Sequence, residues 1–254
     1  MAYQFIKTES EAGVATITLD RPPLNVLNIE MMEELILALK WADEQNEPVV
    51  AITGEGKAFS AGVDIADHTP EKVDMMIDVF DRLFLTMSEM KKPTAALVNG
   101  AALGGGYEIV IFCDLVVASE KAKLGQPEIQ VGVLPPIACY VLPRLLSWPL
   151  AMEILLSGDV FDAARGEQIG LVNKVLPADN FKEGAKEFLA RFTKSSPLVL
   201  ALTKKAAIAG AGKDFASGLK AIDKIYLDEL MKTEDAIEGL QAFMEKRKPN
   251  WQGK

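Results

Sequence analysis

Three consecutive glycines, Gly104, Gly105 and Gly106, stand between an apolar run of extended character and a run of helical character. Glycine tolerates backbone angles and close approaches that a side chain forbids, so three together bring backbone near other backbone or near a ligand. The surrounding stretch, residues 99–130, reads NGAALGGGYEIVIFCDLVVASEKAKLGQPEIQ. If 104–113 is helical, its first N–H groups lack intrahelical partners and sit at the positive end of the helix dipole, where an oxygen carrying negative charge is stabilised. Glu108 lies on nearly the same face as Gly105. Further along, Pro127 fixes the backbone immediately before Glu128 in Gly125-Gln126-Pro127-Glu128. Two carboxylates offered to one apolar site are what paired general acid and base chemistry requires.

Each feature alone has a plainer reading. Glu108 in a first helical turn could simply complement the dipole, worth roughly 0.3 to 1 kcal/mol, and Glu128 could be a solvated loop acid. The glycines lack the GxGxxG spacing of a dinucleotide loop and the lysine of a phosphate loop.

The chain has 254 residues, enough for one large domain or a domain with an appendage. A formal charge of -9 disfavours nucleic acid, whose affinity depends on clustered Lys and Arg. The two cysteines, Cys113 and Cys139, both in apolar sequence, predict free core thiols in a reducing compartment. The single histidine, His68, forms no metal-binding spacing, and no metal site is expected. The N-terminus lacks a signal-peptide pattern and the apolar runs fall short of ~18 residues, so a cytoplasmic protein without membrane contact is expected.

In chain order, residues 3–8 and 13–19 predict a hairpin with its turn at 11–13. Asn28 is placed as the N-cap of a helix carrying Met31, Leu35, Ala38, Leu39 and Ala42. A strand over 49–53 leads to a glycine-rich loop at 54–64, which is a second source of backbone donors and turns helical near Asp64. Next come a helix with Val73, Ile77, Phe80 and Phe84, strands over 94–98 and 115–118, and a rigid turn at Leu134-Pro135-Pro136. The apolar segment 137–146 is expected to break at Pro143. A helix over 148–157, a strand over 171–176 and an almost wholly helical remainder from 178 follow, with Ser196-Pro197 opening one of its helices.

Two glycine-containing loops followed by two spaced glutamates resemble the crotonase (enoyl-CoA hydratase/isomerase) family. The matching residues are AFSAGVDI at 58–65, NGAALGGGYE at 99–108, CDLVVASEKAKLGQPE at 113–128 and FMEKRKPNW at 243–251, and the likeness covers essentially the whole chain. The resemblance implies an α/β fold, a crotonase-like spiral of repeated ββα units over 1–195, and a C-terminal helical trimerisation module over 196–254. It implies a homotrimer or dimer of trimers, an acyl-CoA thioester substrate, and no cofactor beyond the CoA of that substrate. By position, the backbone donors to the thioester oxygen are Val63 and Gly105, and the paired acids are Glu108 and Glu128, Glu128 being the expected proton donor. Ala61, Asp64 and Ile65 match the adenine-facing loop, and Lys246 matches a lysine that reaches a phosphate from a neighbouring subunit.

Two departures stand out. Ala66 occupies a place where many hydratases have lysine, and Pro136 follows Pro135 where hydratases usually have glycine. Both acids together favour hydration; an isomerase on the same fold and a non-catalytic acyl-CoA-binding subunit are the alternatives. The VGVLPPIA stretch at 131–138 resembles the branch that hydrates cyclic dienoyl-CoA esters.

Overall fold

A computed structural model describes residues 3–254. The chain begins with a repeated unit of two strands and a helix. The first unit is β1 (Ile6–Glu11), β2 (Val14–Leu19) and α1 (Ile29–Glu44); the second is β3 (Val49–Gly54), β4 (Ala58–Ser60) and α2 (Val73–Glu89). The third is β5 (Thr94–Val98), β6 (Ala101–Leu103) and α3 (Gly105–Phe112). The fourth has β7 (Leu115–Ser119) and β8 (Lys123–Gly125), a 3-10 turn at Pro127–Val131, then α4 (Pro136–Leu145) and α5 (Trp148–Ser157). After β9 (Val160–Asp162), α6 (Ala163–Gln168), β10 (Lys174–Leu176) and α7 (Phe181–Leu189), the chain ends in α8 (Pro197–Gly210), α9 (Phe215–Asp228) and α10 (Glu234–Met244).

The strands divide between two sheets. One has the order β1-β2-β3-β5-β7-β10 and the other β4-β6-β8-β9. From the second unit to the fourth, the first strand therefore joins the larger sheet and the second joins the smaller one. Strands β3, β5 and β7 run parallel and are apolar almost continuously, as a sheet covered on both faces demands. The β1–β2 hairpin is antiparallel and turns at Ala12 and Gly13, both with positive φ, which matches the twist of a tight hairpin.

Asn28 caps α1 by accepting from the Met31 N–H at 3.2 Å, and the helix buries the expected face together with Met32 and Ile36. Ser196 caps α8 in the same way, accepting from Val199, with Pro197 in the first turn. Lys204 of α8 donates to Asp114 at 2.7 Å and to the Lys92 carbonyl at 3.0 Å, tying the C-terminal helices to the segments flanking β5 and β7. Buried Asp235 accepts from Ser196 and from the Gln252 and Gly253 N–H groups, so the tail beyond α10 folds back.

Several expectations need correction. The glycine-rich loop contains β4, a three-residue strand too short to announce itself by periodicity. On α2 the apolar face is Met76, Val79, Phe80, Leu83, Phe84 and Met87, whereas Ile77 is 39% exposed. The strand expected over 171–176 is confined to its last three residues. Helix α4 continues through Pro143, which lies in its last turn, where one lost backbone bond costs least.

Candidate active site

Strands β4, β6 and β8 are mutually parallel, with Ser60 paired to Ala102 and Leu103 paired to Gly125. Their C-terminal ends thus lie along one edge. The residues that follow those ends are Ala61 to Val63, Gly104 to Glu108 and Gln126 to Glu128, so three segments distant in sequence meet because their strands stop together.

Gly104 is the hinge of this meeting. Its φ of +53° and ψ of -132° suit glycine alone, and a Cβ there would lie 2.7 Å from Glu128 Oε1. Its N–H donates to the Gly125 carbonyl at 3.0 Å, joining α3 to the strand that delivers Glu128. A Cβ on Gly105 would meet Val63 Cγ2 at 2.7 Å, with the Val63 nitrogen 3.5 Å away. Gly105 therefore packs directly against Val63, with no room for a side chain between them. Val63 is held by the neighbours of its own amide: Leu27 N–H donates to the Gly62 carbonyl and Asp64 N–H to the Leu27 carbonyl. Among the described residues, neither the Val63 nor the Gly105 N–H has a hydrogen-bond acceptor.

Glu108 is only 2% exposed. Its Oε1 accepts from the Ile137 and Ala138 N–H groups, each at 2.8 Å, at the start of α4. Pro136 is the first residue of that helix, where its missing N–H would have been unpaired in any case. The rigid turn expected at 134–136 is thus a helix start, and its two free amides are already committed to Glu108. Burial pushes Glu108 up to about 8, helped by the charge of Glu128 and opposed by the two amides. Glu128, half-buried in the 3-10 turn, is pushed up to about 7, again by burial.

Gln126, which sequence reasoning passed over, is fully buried beside Glu128. With its amide nitrogen toward the carboxyl, it donates to the two Glu128 oxygens at 3.1 and 2.9 Å. No local signal marks it, since in Lys123-Leu124-Gly125-Gln126-Pro127-Glu128 a buried amide reads like a surface one. Cys139, expected in the core, is exposed on α4. Its thiol is raised by burial first, then by the charges of Glu108 and Glu128.

The residues expected to hold CoA are spread differently. Ala61 is half-buried, its N–H donating to the Leu24 carbonyl, and Ile65 is 75% exposed. The Asp64 carboxylate accepts from Arg21 at 3.1 Å and from the Ala66 N–H at 3.1 Å, so its charge is already engaged in shaping the loop. Lys246 is exposed just after α10, with a φ of +56°. Among the described residues no group of three or more His, Cys, Asp or Glu could hold a metal ion, and no helix is long and apolar enough to cross a membrane.

The site thus brings the unpaired Val63 and Gly105 amides into the same region as two buried or half-buried carboxyls, Glu108 and Glu128. Known proteins resemble the chain over nearly its whole length. The profile of the enoyl-CoA hydratase/isomerase family matches residues 9–254. A probable enoyl-CoA hydratase of Rhizobium meliloti is 38% identical, with 98% of each chain covered. The mitochondrial enoyl-CoA hydratase of Pongo abelii is 36% identical over 94% of this chain and 83% of its own. Among solved structures, an enoyl-CoA hydratase from Bacillus anthracis superposes with a TM-score of 0.93 at 32% identity, covering 99% of this chain and 100% of that one. The chain belongs to the enoyl-CoA hydratase/isomerase family.

Proposed function

We propose that the protein is a hydro-lyase that adds water across the double bond of an α,β-unsaturated acyl-CoA thioester. The observation that carries this reading is the pairing of two carboxyls of raised proton affinity, Glu108 and Glu128, beside the uncommitted amides of Val63 and Gly105. Relatives named as enoyl-CoA hydratases support it.

In this reading the thioester oxygen accepts from Val63 and Gly105. A water between the carboxyls gives a proton to Glu108 while its oxygen bonds to the β-carbon. The electron pair of the double bond moves onto the thioester oxygen as an enolate, where one preorganised donor is worth roughly 100-fold or more in rate. Glu128 then gives its proton to the α-carbon. Glu108 is assigned as the base by its place in the family resemblance; burial gives it the higher proton affinity of the pair, about 8 against about 7, and its two N–H donors oppose that rise and stabilise the carboxylate once it forms.

The CoA is assigned to the loop of Ala61, Asp64 and Ile65, with Lys246 of an adjoining chain at a phosphate. That places the site in a homotrimer or dimer of trimers, with 196–254 as the assembling module. For the acyl group we infer a cyclic dienoyl ester, supported by Pro136: a proline-started helix clamped to Glu108 makes a rigid wall, better suited to a compact ring than to a flexible chain.

The test is incubation of an enoyl-CoA with the enzyme, followed by ultraviolet absorbance and mass spectrometry. Loss of the conjugated thioester absorbance with a product heavier by one water is expected. A product of unchanged mass would replace hydration by double-bond isomerisation, and tight binding without turnover would mark a binding subunit.

A further inference from the structure

The Val63 N–H takes its direction from the chain beside it. Residues 24–27 run along 61–64 and bond to them three times: Ala61 N–H donates to the Leu24 carbonyl at 3.0 Å, Leu27 N–H to the Gly62 carbonyl at 2.8 Å and Asp64 N–H to the Leu27 carbonyl at 2.9 Å. In such a parallel bridge the paired groups belong to the neighbours of Val63, so the Val63 N–H is turned to the opposite side. Its aim depends on how firmly the two segments hold together. The Arg21 guanidinium grips both. Its Nη1 donates to the Val26 carbonyl at 2.8 Å, one residue before Leu27, and its Nη2 to Asp64 Oδ2 at 3.1 Å, one residue after Val63. The other Asp64 oxygen accepts from the Ala66 N–H at 3.1 Å, so the grip extends into the turn that follows.

We propose that Arg21 is a positioning residue for the Val63 donor: one guanidinium clasps the chain on both sides of the Leu27–Val63 bridge and so aims the N–H at its centre. The inference rests on the reading above, in which the thioester oxygen accepts from Val63. The backbone of Arg21 is itself anchored. Its N–H donates to Asn25 Oδ1 at 3.0 Å, and the Asn25 N–H donates to the Arg21 carbonyl at 2.8 Å. The buried Asn25 amide in turn donates to the Ala58 and Phe59 carbonyls of β4 at 2.9 and 3.2 Å, so the clasp is referred to the same strand that delivers residues 61–63. A planar fork can serve a carbonyl and a carboxylate at once at a fixed angle, which a lysine ammonium on its flexible stem does not. Arg21 and Asp64 are both partly exposed, and a pair this open adds little to stability. Its contribution is direction: a small displacement of the donor leaves the fold standing and weakens the hold on a charge that forms only during reaction.

The test reads the donor itself. The infrared carbonyl band of bound butyryl-CoA, a saturated thioester that cannot be hydrated, reports how strongly its oxygen is polarised. In the wild-type protein the band is expected below its position for the free thioester. In folded Arg21→Met that displacement should shrink by about half or more, with kcat for the enoyl-CoA substrate down ~10-fold and KM within ~3-fold. Arg21→Lys should fall between the two, because its ammonium can keep Asp64 without holding the Val26 carbonyl at the same angle, and it carries the test if Arg21→Met does not fold. A fully displaced band in either folded variant would overturn the proposal. So would a KM that rises while kcat and the band hold, which would make Arg21 a holder of CoA rather than of the donor. An undisplaced band in the wild-type protein is a different failure: it removes Val63 and Gly105 as donors to the thioester oxygen, and with them the reading on which the inference rests.

Discussion

Glu108 occupies a place that a carboxyl reaches only by leaving water, and two N–H groups of α4 offset part of that cost. Replacing either acid by glutamine keeps the shape and removes the proton exchange. Glu108→Gln and Glu128→Gln are each expected to lower kcat by at least ~100-fold with acyl-CoA affinity nearly intact, as steady-state kinetics and equilibrium binding would record. Burial also links Glu108 to stability. Its folded value, about 8, lies above the ordinary 4.5, so the native state binds the proton more tightly. The contribution is complete below about pH 4.5 and is lost progressively as pH rises to about 8. Thermal melts across this window should show stability declining with pH from this site, and Glu108→Gln should flatten the decline; an equal slope in both proteins would assign it elsewhere. Both acids were legible in the sequence because a glycine run and a proline mark their backbone. Gln126 was not, because nothing local distinguishes a buried amide from a surface one until the carboxyl it faces is in place.

At the scale of elements, the site depends on three strands of only three residues each, β4, β6 and β8. The long periodic helices and the apolar parallel strands were legible, since burial on one helical face or on both faces of a sheet leaves a repeating signature. A three-residue strand has no period to read, which is why 54–64 looked like plain loop and the convergence of 61–63, 104–108 and 126–128 came instead from the resemblance. The join at Gly104 can be probed. Gly104→Ala places a Cβ 2.7 Å from Glu128 Oε1 on a backbone angle that alanine resists, so we expect a loss of about 1 to 3 kcal/mol by denaturant unfolding. A fall in kcat of at least ~10-fold should accompany it as Glu128 is displaced. Helix α4 carries a second expectation. With Pro136 as its first residue, a cyclic dienoyl-CoA should be hydrated with higher kcat/KM than crotonyl-CoA or a longer linear ester, and Pro136→Gly should narrow the gap. Preference of the wild-type enzyme for the linear esters would end the ring-shaped reading.

The whole chain leaves a large apolar surface on its C-terminal helices. Phe215, Leu219, Tyr226 and Leu227 are exposed on α9, and Ile237, Leu240, Phe243 and Met244 on α10, with Phe243 and Phe215 each 84% exposed. Ile225 of α9, by contrast, is buried within the chain. Large apolar side chains exposed along one helix face are commonly covered by association, and closed symmetry is the usual way to do it. Lys246 directly follows this face, exposed and without an acid partner among the described residues, so an adjoining chain that covers α10 also gains a cation at its edge. Light scattering at micromolar concentration is expected to give three or six chains. Phe243→Asp places a charge in the middle of the buried contact and should shift the population toward monomer. If Lys246 serves a neighbour's substrate, KM for the acyl-CoA should rise in that dissociated protein and in assembled Lys246→Ala, while Glu108 and Glu128, which reach their partners within one chain, keep their chemistry. A wild-type protein that is monomeric and fully active would remove both the assembly and the shared site.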